Sequence, residues 1–339
     1  MVNVNLYKQT KKPVILKSIL KNFVLLIAAS YCLMANVASA KNTAYITNQG
    51  DNTVSIIDID SNKVIKTIAV PKGPVGVATA SKLHRVFISN VDGQSISVID
   101  GVNQKVIRNI SVKGSPVGLA LTPDEKILYI ADWVSDRILA FETSSMQALY
   151  EIKAGKAPAG MIVSPDGKKL YVANRDSDDI AVIDTKTRQI SARIPVGKHP
   201  FGVSVSENGE QLYTVNVMEN SISIINTISL KKETLKVGEH PYCVAASADG
   251  KFLYVTNTQD DNVSVIDLGT KETITKIKVG EVPEGINVDQ QTGNIYVANW
   301  SSNQVSVIDG KKQILMMQIK TGEKSRAFGN FILKGEKSL

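Results

Sequence analysis

A four-residue segment of the form aromatic–x–x–Asx, with a β-branched or apolar second residue, returns seven times at a nearly constant step. No other feature limits the fold as strongly. The copies begin at Tyr45, Phe87, Tyr129, Tyr171, Tyr213, Tyr254 and Tyr296, with steps of 42, 42, 42, 42, 41 and 42 residues. A proline keeps the same step at Pro74, Pro116, Pro158, Pro200, Pro241 and Pro283, each 13 residues before its aromatic. Glycine follows two positions later in every copy except that of Pro241, where Cys243 stands instead. A third marker is an apolar stretch ending in Asp58, Asp100, Glu142, Asp184, Asn226, Asp267 or Asp309. Alternating β-branched residues between turn signals such as Ser164-Pro165-Asp166-Gly167 divide each period into four short strands. Four strands in about 42 residues is the period of a propeller blade. The expected fold is all-β: a seven-bladed β-propeller with four antiparallel strands per blade.

The two ends of the repeat fit together. The first copy starts at Tyr45 without a preceding inner strand, and Ser325 lies 42 residues after Pro283. Residues 325–333 therefore supply the missing strand, and the ring is expected to close by pairing them with the N-terminal blade. The expected organisation is a leader at 1–40, one propeller at 41–333 and a short disordered tail at 334–339.

The leader reading rests on a lysine-bearing start, an apolar run from Phe23 to about Ala35, and the small residues Ala38-Ser39-Ala40. A run of that length falls short of a membrane span. Tyr31 before Cys32 does not fit a lipid-attachment site. A signal peptide cleaved after Ala40 implies a periplasmic or secreted mature chain. The leader also explains the charge. The whole chain carries +7, but its first 40 residues hold five lysines and no acid, leaving 34 basic against 32 acidic residues. Broad electrostatic capture of nucleic acid is thereby excluded, although a local patch is not. With two cysteines, one of them in the leader, there is no disulfide framework.

The verbatim segment Tyr254-Val255-Thr256-Asn257 and its six relatives resemble the YVTN-family β-propellers of exported bacterial and archaeal surface proteins. The resemblance covers residues 41–333. It implies the propeller fold and an exported protein of a group tied variously to binding, adhesion, single-stranded DNA contact or accessory roles beside enzymes. It assigns no site residue.

The repeat serves as its own control for function. A residue present in every copy is structural, so the seven aromatics and the Asx residues are expected to pack blades and to satisfy their own turns. Residues that break the pattern cluster in the last connections leading to the inner strands. They are His199, Phe201, His240, Tyr242, Glu284 and Arg326, with Trp300 in a loop on the same face. These seven form the expected ligand-binding set at one mouth of the central channel. His199, His240 and Cys243 form a candidate copper or zinc set, although their spacing matches no standard metal motif. No catalytic motif is present, and no catalytic residue is assigned. The main expectation is a non-catalytic binding protein for a ligand or protein partner, with no transmembrane segment in the mature chain. The alternatives are a metal-binding or redox accessory protein, a single-stranded nucleic-acid binder using the aromatic and basic residues, and lactonase-like hydrolysis through Glu284.

Overall fold

The computed structural model describes residues 1–2 and 42–335. All but the first two residues of the leader, and residues 336–339 of the tail, lie outside them. The described chain is a seven-bladed β-propeller built from seven antiparallel four-stranded sheets, one with a short fifth strand added. The fifth blade shows the plan. Its inner strand Pro200–Val205 is followed by Gln211–Asn216, Ser221–Asn226 and the outer strand Lys232–Lys236. Inner strands of successive blades touch all the way round the ring. Two single 3-10 turns, Arg175–Ser177 and Val217–Glu219, are the only helical elements among the described residues. No helix there is long and apolar enough to cross a membrane.

The repeated residues show why the blades stack. All seven aromatics are buried, and the last two bond into the neighbouring blade. The Tyr296 hydroxyl donates to Asn62 Oδ1 at 2.7 Å, and that of Tyr254 to the Gly310 carbonyl at 3.2 Å. The glycine two residues after every repeat proline but Pro241 allows inner strands to approach closely. A Cβ on Gly118 would lie 1.9 Å from the Ala159 oxygen of the next blade.

The Asx residues do more than close their own turns. Asn216 Nδ2 donates to Ser221 and Ser223 within its sheet, while its Oδ1 accepts from the Gly197 amide at 3.0 Å in the preceding connection. The residue four positions on braces the following connection. Asp178 Oδ1 accepts from the His199 amide at 2.9 Å, and Asn220 Oδ1 from the His240 amide at 3.0 Å. His199, His240 and the β-branched Val282 all have positive φ, of 54°, 49° and 51°. Such backbone costs free energy outside glycine, and the Asx acceptors offset it.

The ring closes as expected, with a detour. Ser325 bridges Asn48, and Ile332–Leu333 pairs antiparallel with Ala44 and Thr43. Between them, Phe328–Asn330 swings toward the second blade and pairs parallel with Gly76–Ala78. An ordinary inner strand advances four residues between its proline and the residue opposite its aromatic, as from Pro74 to Ala78. The closing strand advances six, from Ser325 to Phe331. The two extra residues form a bulge that pushes Phe328 into the channel. Of the tail, Lys334 and Gly335 are described and are hydrogen-bonded through their amides to Ser81 and Asn42.

Candidate functional site

The connections into the inner strands and the loops after the Asx residues open on one face, where the Val91 amide bonds to the Gly73 carbonyl. His199, Phe201, His240, Tyr242, Glu284, Trp300 and Arg326 all belong to elements of that mouth. Three rings plug its centre. Phe201 and Tyr242 lie 4.2 Å apart by ring centroids, and Phe328 sits 5.1 Å from Phe201 and 5.3 Å from Tyr242. Trp133 extends the cluster at 6.2 Å from Phe201. Separations of this size are favourable for aromatic pairs.

Arg326 stands beside the plug, its guanidinium 4.9 Å from the Phe328 ring. Its Nε donates to Glu284 Oε2 at 2.5 Å and its Nη2 to Oε1 at 3.0 Å. Nη1 donates to Gln49 Oε1 at 2.9 Å, and Nη2 also donates to the Tyr242 hydroxyl at 3.2 Å. Trp300 Nε1 donates to the same Gln49 oxygen at 3.3 Å. One guanidinium thus ties the closing strand to the first, sixth and seventh blades. Glu284 is only 6% exposed, so this is a buried pair. Burial pushes the Glu284 carboxyl above the usual range, and Arg326 pulls it back. Burial also raises the Tyr242 hydroxyl, with the Glu284 charge adding to the effect.

Around this centre successive connections present the exposed Lys72, Lys113, Lys156 and Lys198 and then Glu239, Glu281 and Glu323; the facing loops add exposed Asp92, Asp176 and Glu219 on the lysine side, and Lys324 stands beside Glu323. Each tryptophan at the mouth carries a cation: Arg175 lies 5.5 Å from the Trp133 ring and Lys324 lies 5.1 Å from the Trp300 ring.

The expected three-ligand metal set is not assembled. Among the described residues no three His, Cys, Asp or Glu side chains converge to hold an ion. Cys243 is buried in an inner strand, with its thiol pushed up by that burial. Such a thiol is a poor ligand and a poor nucleophile. The two histidines are carried on separate connections. They occupy equivalent positions in adjacent blades, and that equivalence fixes their backbones without converging their side chains with Cys243. The hydrolase reading fares no better, because Arg326 engages both oxygens of Glu284. Gln49, Trp133 and Phe328 were missed as site residues. Neither Phe328 nor Gln49 had a signal in the sequence, because both are placed by the register of the closing strand.

A cavity of about 390 Å³ lies in the channel on the far side of the plug, with Phe201, Cys243 and Phe328 in its wall. Its lining is mostly apolar, with Asn287, Asp289, Gln290, Asn330 and Lys334 among the polar residues.

No curated protein matches the sequence. Solved structures of this fold are numerous, with 1637 matching chains, so likeness of fold does not select a function. Hydrazine synthase of Kuenenia stuttgartiensis is 22% identical, with a TM-score of 0.68, over 75% of this chain and 88% of its own. A functionally unknown protein from Desulfotomaculum acetoxidans is 14% identical, with a TM-score of 0.72, over 85% of this chain and all of its own. Dihydro-heme d1 dehydrogenase NirN, in complex with DHE, is 14% identical with a TM-score of 0.64, and the match covers 82% of this chain and 63% of its own. At these identities the structures support the fold alone. The family model for the SMP-30/gluconolactonase/LRE-like region matches residues 239–336. That for the cytochrome D1 heme domain matches residues 10–209, more than half of the sequence, and the chain belongs to that family.

Proposed function

We propose that the chain is an exported, non-catalytic YVTN-type propeller that receives a protein partner on the mouth described above. The observation that carries this reading is the anatomy of that face: a packed aromatic centre, a buried Arg326–Glu284 pair beside it and a charged rim whose connections carry lysines on one side and glutamates on the other. Energetic centres of protein interfaces are aromatic and arginine-rich, and polar rims set orientation. The rigid inner strands hold these groups in place before binding, which lowers the entropy cost of association. Export rests on the leader reading, and the YVTN assignment on the repeat.

The test is a Trp133→Ala/Trp300→Ala variant. Both rings lie at the edge of the mouth, so the propeller keeps its unfolding transition while partner affinity falls at least tenfold, or about 1.4 kcal/mol. Unchanged affinity removes the mouth as the binding surface.

One observation favours a second reading, a tetrapyrrole held at the same mouth. His199 Nδ1 is buried without a hydrogen-bond partner, two residues before Phe201. Such a group would draw on the imidazole for its metal and on the rings of the mouth, and its carboxylates would compete with Asp178 for Lys198 and with Asp176 for Arg175. A bound tetrapyrrole would supply a redox-active metal. The chain's own residues would bind and orient it. Titration with iron protoporphyrin IX should then shift its Soret band, and His199→Ala should abolish the shift. An unshifted band with the unaltered chain rejects this reading and leaves the partner surface.

A further inference from the structure

The outer strands expose one backbone edge each, and such edges invite pairing with other chains unless charge interrupts them. Six of the seven carry a charged residue in the interior of the strand: Lys66, Arg108, Glu151, Arg193, Glu233 and Lys276. The seventh, Ile314–Lys320, reads Ile-Leu-Met-Met-Gln-Ile-Lys and has no charge before its last residue. Three of its apolar side chains face solvent, with Ile314, Met316 and Met317 exposed to 52%, 49% and 43%. Met317 occupies the place of Lys66 and Arg108 in strands with matching core positions at Ile319, Ile68 and Ile110. The strand pairs Gln304–Asp309 on one side and no strand on the other.

Lysines stand at both ends of this edge: Lys311 and Lys312 before it and Lys320 at its close. An open edge cannot enter lipid, because its amides and carbonyls would lose water without gaining partners. A second copy of the same strand laid antiparallel would bring Lys320 toward the other copy's Lys312. The complementary occupant is a strand with an apolar centre and acidic ends. We propose that the outer edge of the seventh blade captures an extended, acid-flanked segment of a partner protein as a fifth strand. Backbone bonds would give the affinity, and the lysines would set the ends.

The test uses the full chain and a fluorescein-labelled peptide, Asp-Asp-Val-Thr-Val-Thr-Val-Asp-Asp. Binding by fluorescence anisotropy is expected in the micromolar range. It should weaken at least tenfold in Met317→Lys and in Met316→Lys, and for a peptide with lysine ends. N-methylation of the alternate amides on one edge of the peptide should abolish binding, while the opposite set should leave it intact. That comparison needs only the unaltered chain, so a misfolded variant does not blunt it. Equal binding of both N-methylated peptides, or binding by the two variants equal to that of the unaltered chain, overturns strand capture. A dimer in sedimentation that Met317→Lys dissociates assigns the edge to a second copy instead. Binding to phosphatidylglycerol vesicles without peptide binding assigns it to a lipid surface, and either result overturns the proposal.

Discussion

Replacing Arg326 with methionine destabilises the propeller by about 3–5 kcal/mol at neutral pH, the usual cost of removing one partner from a buried ion pair. The loss is read as a lower urea midpoint with an unchanged slope. Glu284 is then a buried carboxylate without its cation, and Gln49 and Tyr242 lose a shared donor. The double replacement Arg326→Met/Glu284→Leu recovers most of the loss, because no charge remains to be paired. The cost also depends on pH. A carboxyl whose folded pKa lies above its unfolded value binds its proton more tightly when folded. Its contribution to stability therefore falls as pH rises through that window. Burial already places Glu284 in this class, and loss of Arg326 lifts it further. The single variant should thus approach the unaltered chain on acidification toward the Glu284 window and diverge from it above neutral pH. A pH-independent difference contradicts this account of the pair.

Deleting residues 325 to the end should prevent the closed ring from forming. The segment buries Phe328, Phe331, Ile332 and Leu333. At about 1.5–3 kcal/mol each these four are worth roughly 6–12 kcal/mol, as much as the whole net stability of a typical domain, about 5–15 kcal/mol. The first blade would also lose its inner strand, exposing the Thr43–Asn48 edge to aggregation. A chain ending after Gly335 keeps every described contact and should unfold as the full chain does. A truncation at 325 with an unchanged transition refutes closure by this strand.

The fold was legible because each repeated residue performs the same task seven times, and the aromatic and Asx positions act through local, periodic geometry. The mouth was legible in part. His199, Phe201, His240, Tyr242, Glu284, Trp300 and Arg326 stood out as departures from the repeat, and all lie on elements of one face. Equivalent positions do not make side chains converge, so His199, His240 and Cys243 did not become a metal site. Gln49 was hidden because its partner Arg326 lies 277 positions away and meets it only when the ring closes. Phe328 was hidden because a bulge is defined by strand register, and register appears only in the paired sheet. The seventh outer strand was passed over because an uncharged apolar run reads as core until its exposure is known.

The mouth is proposed to receive a folded partner. Site-specific incorporation of benzoylphenylalanine at Trp300, with Asn208 on the opposite face as control, tests it in the producing cells. The account predicts a discrete crosslinked adduct from position 300 that disappears when Trp133 is also replaced by alanine, and none from position 208. Adducts of equal yield from both positions, or from position 208 alone, contradict it.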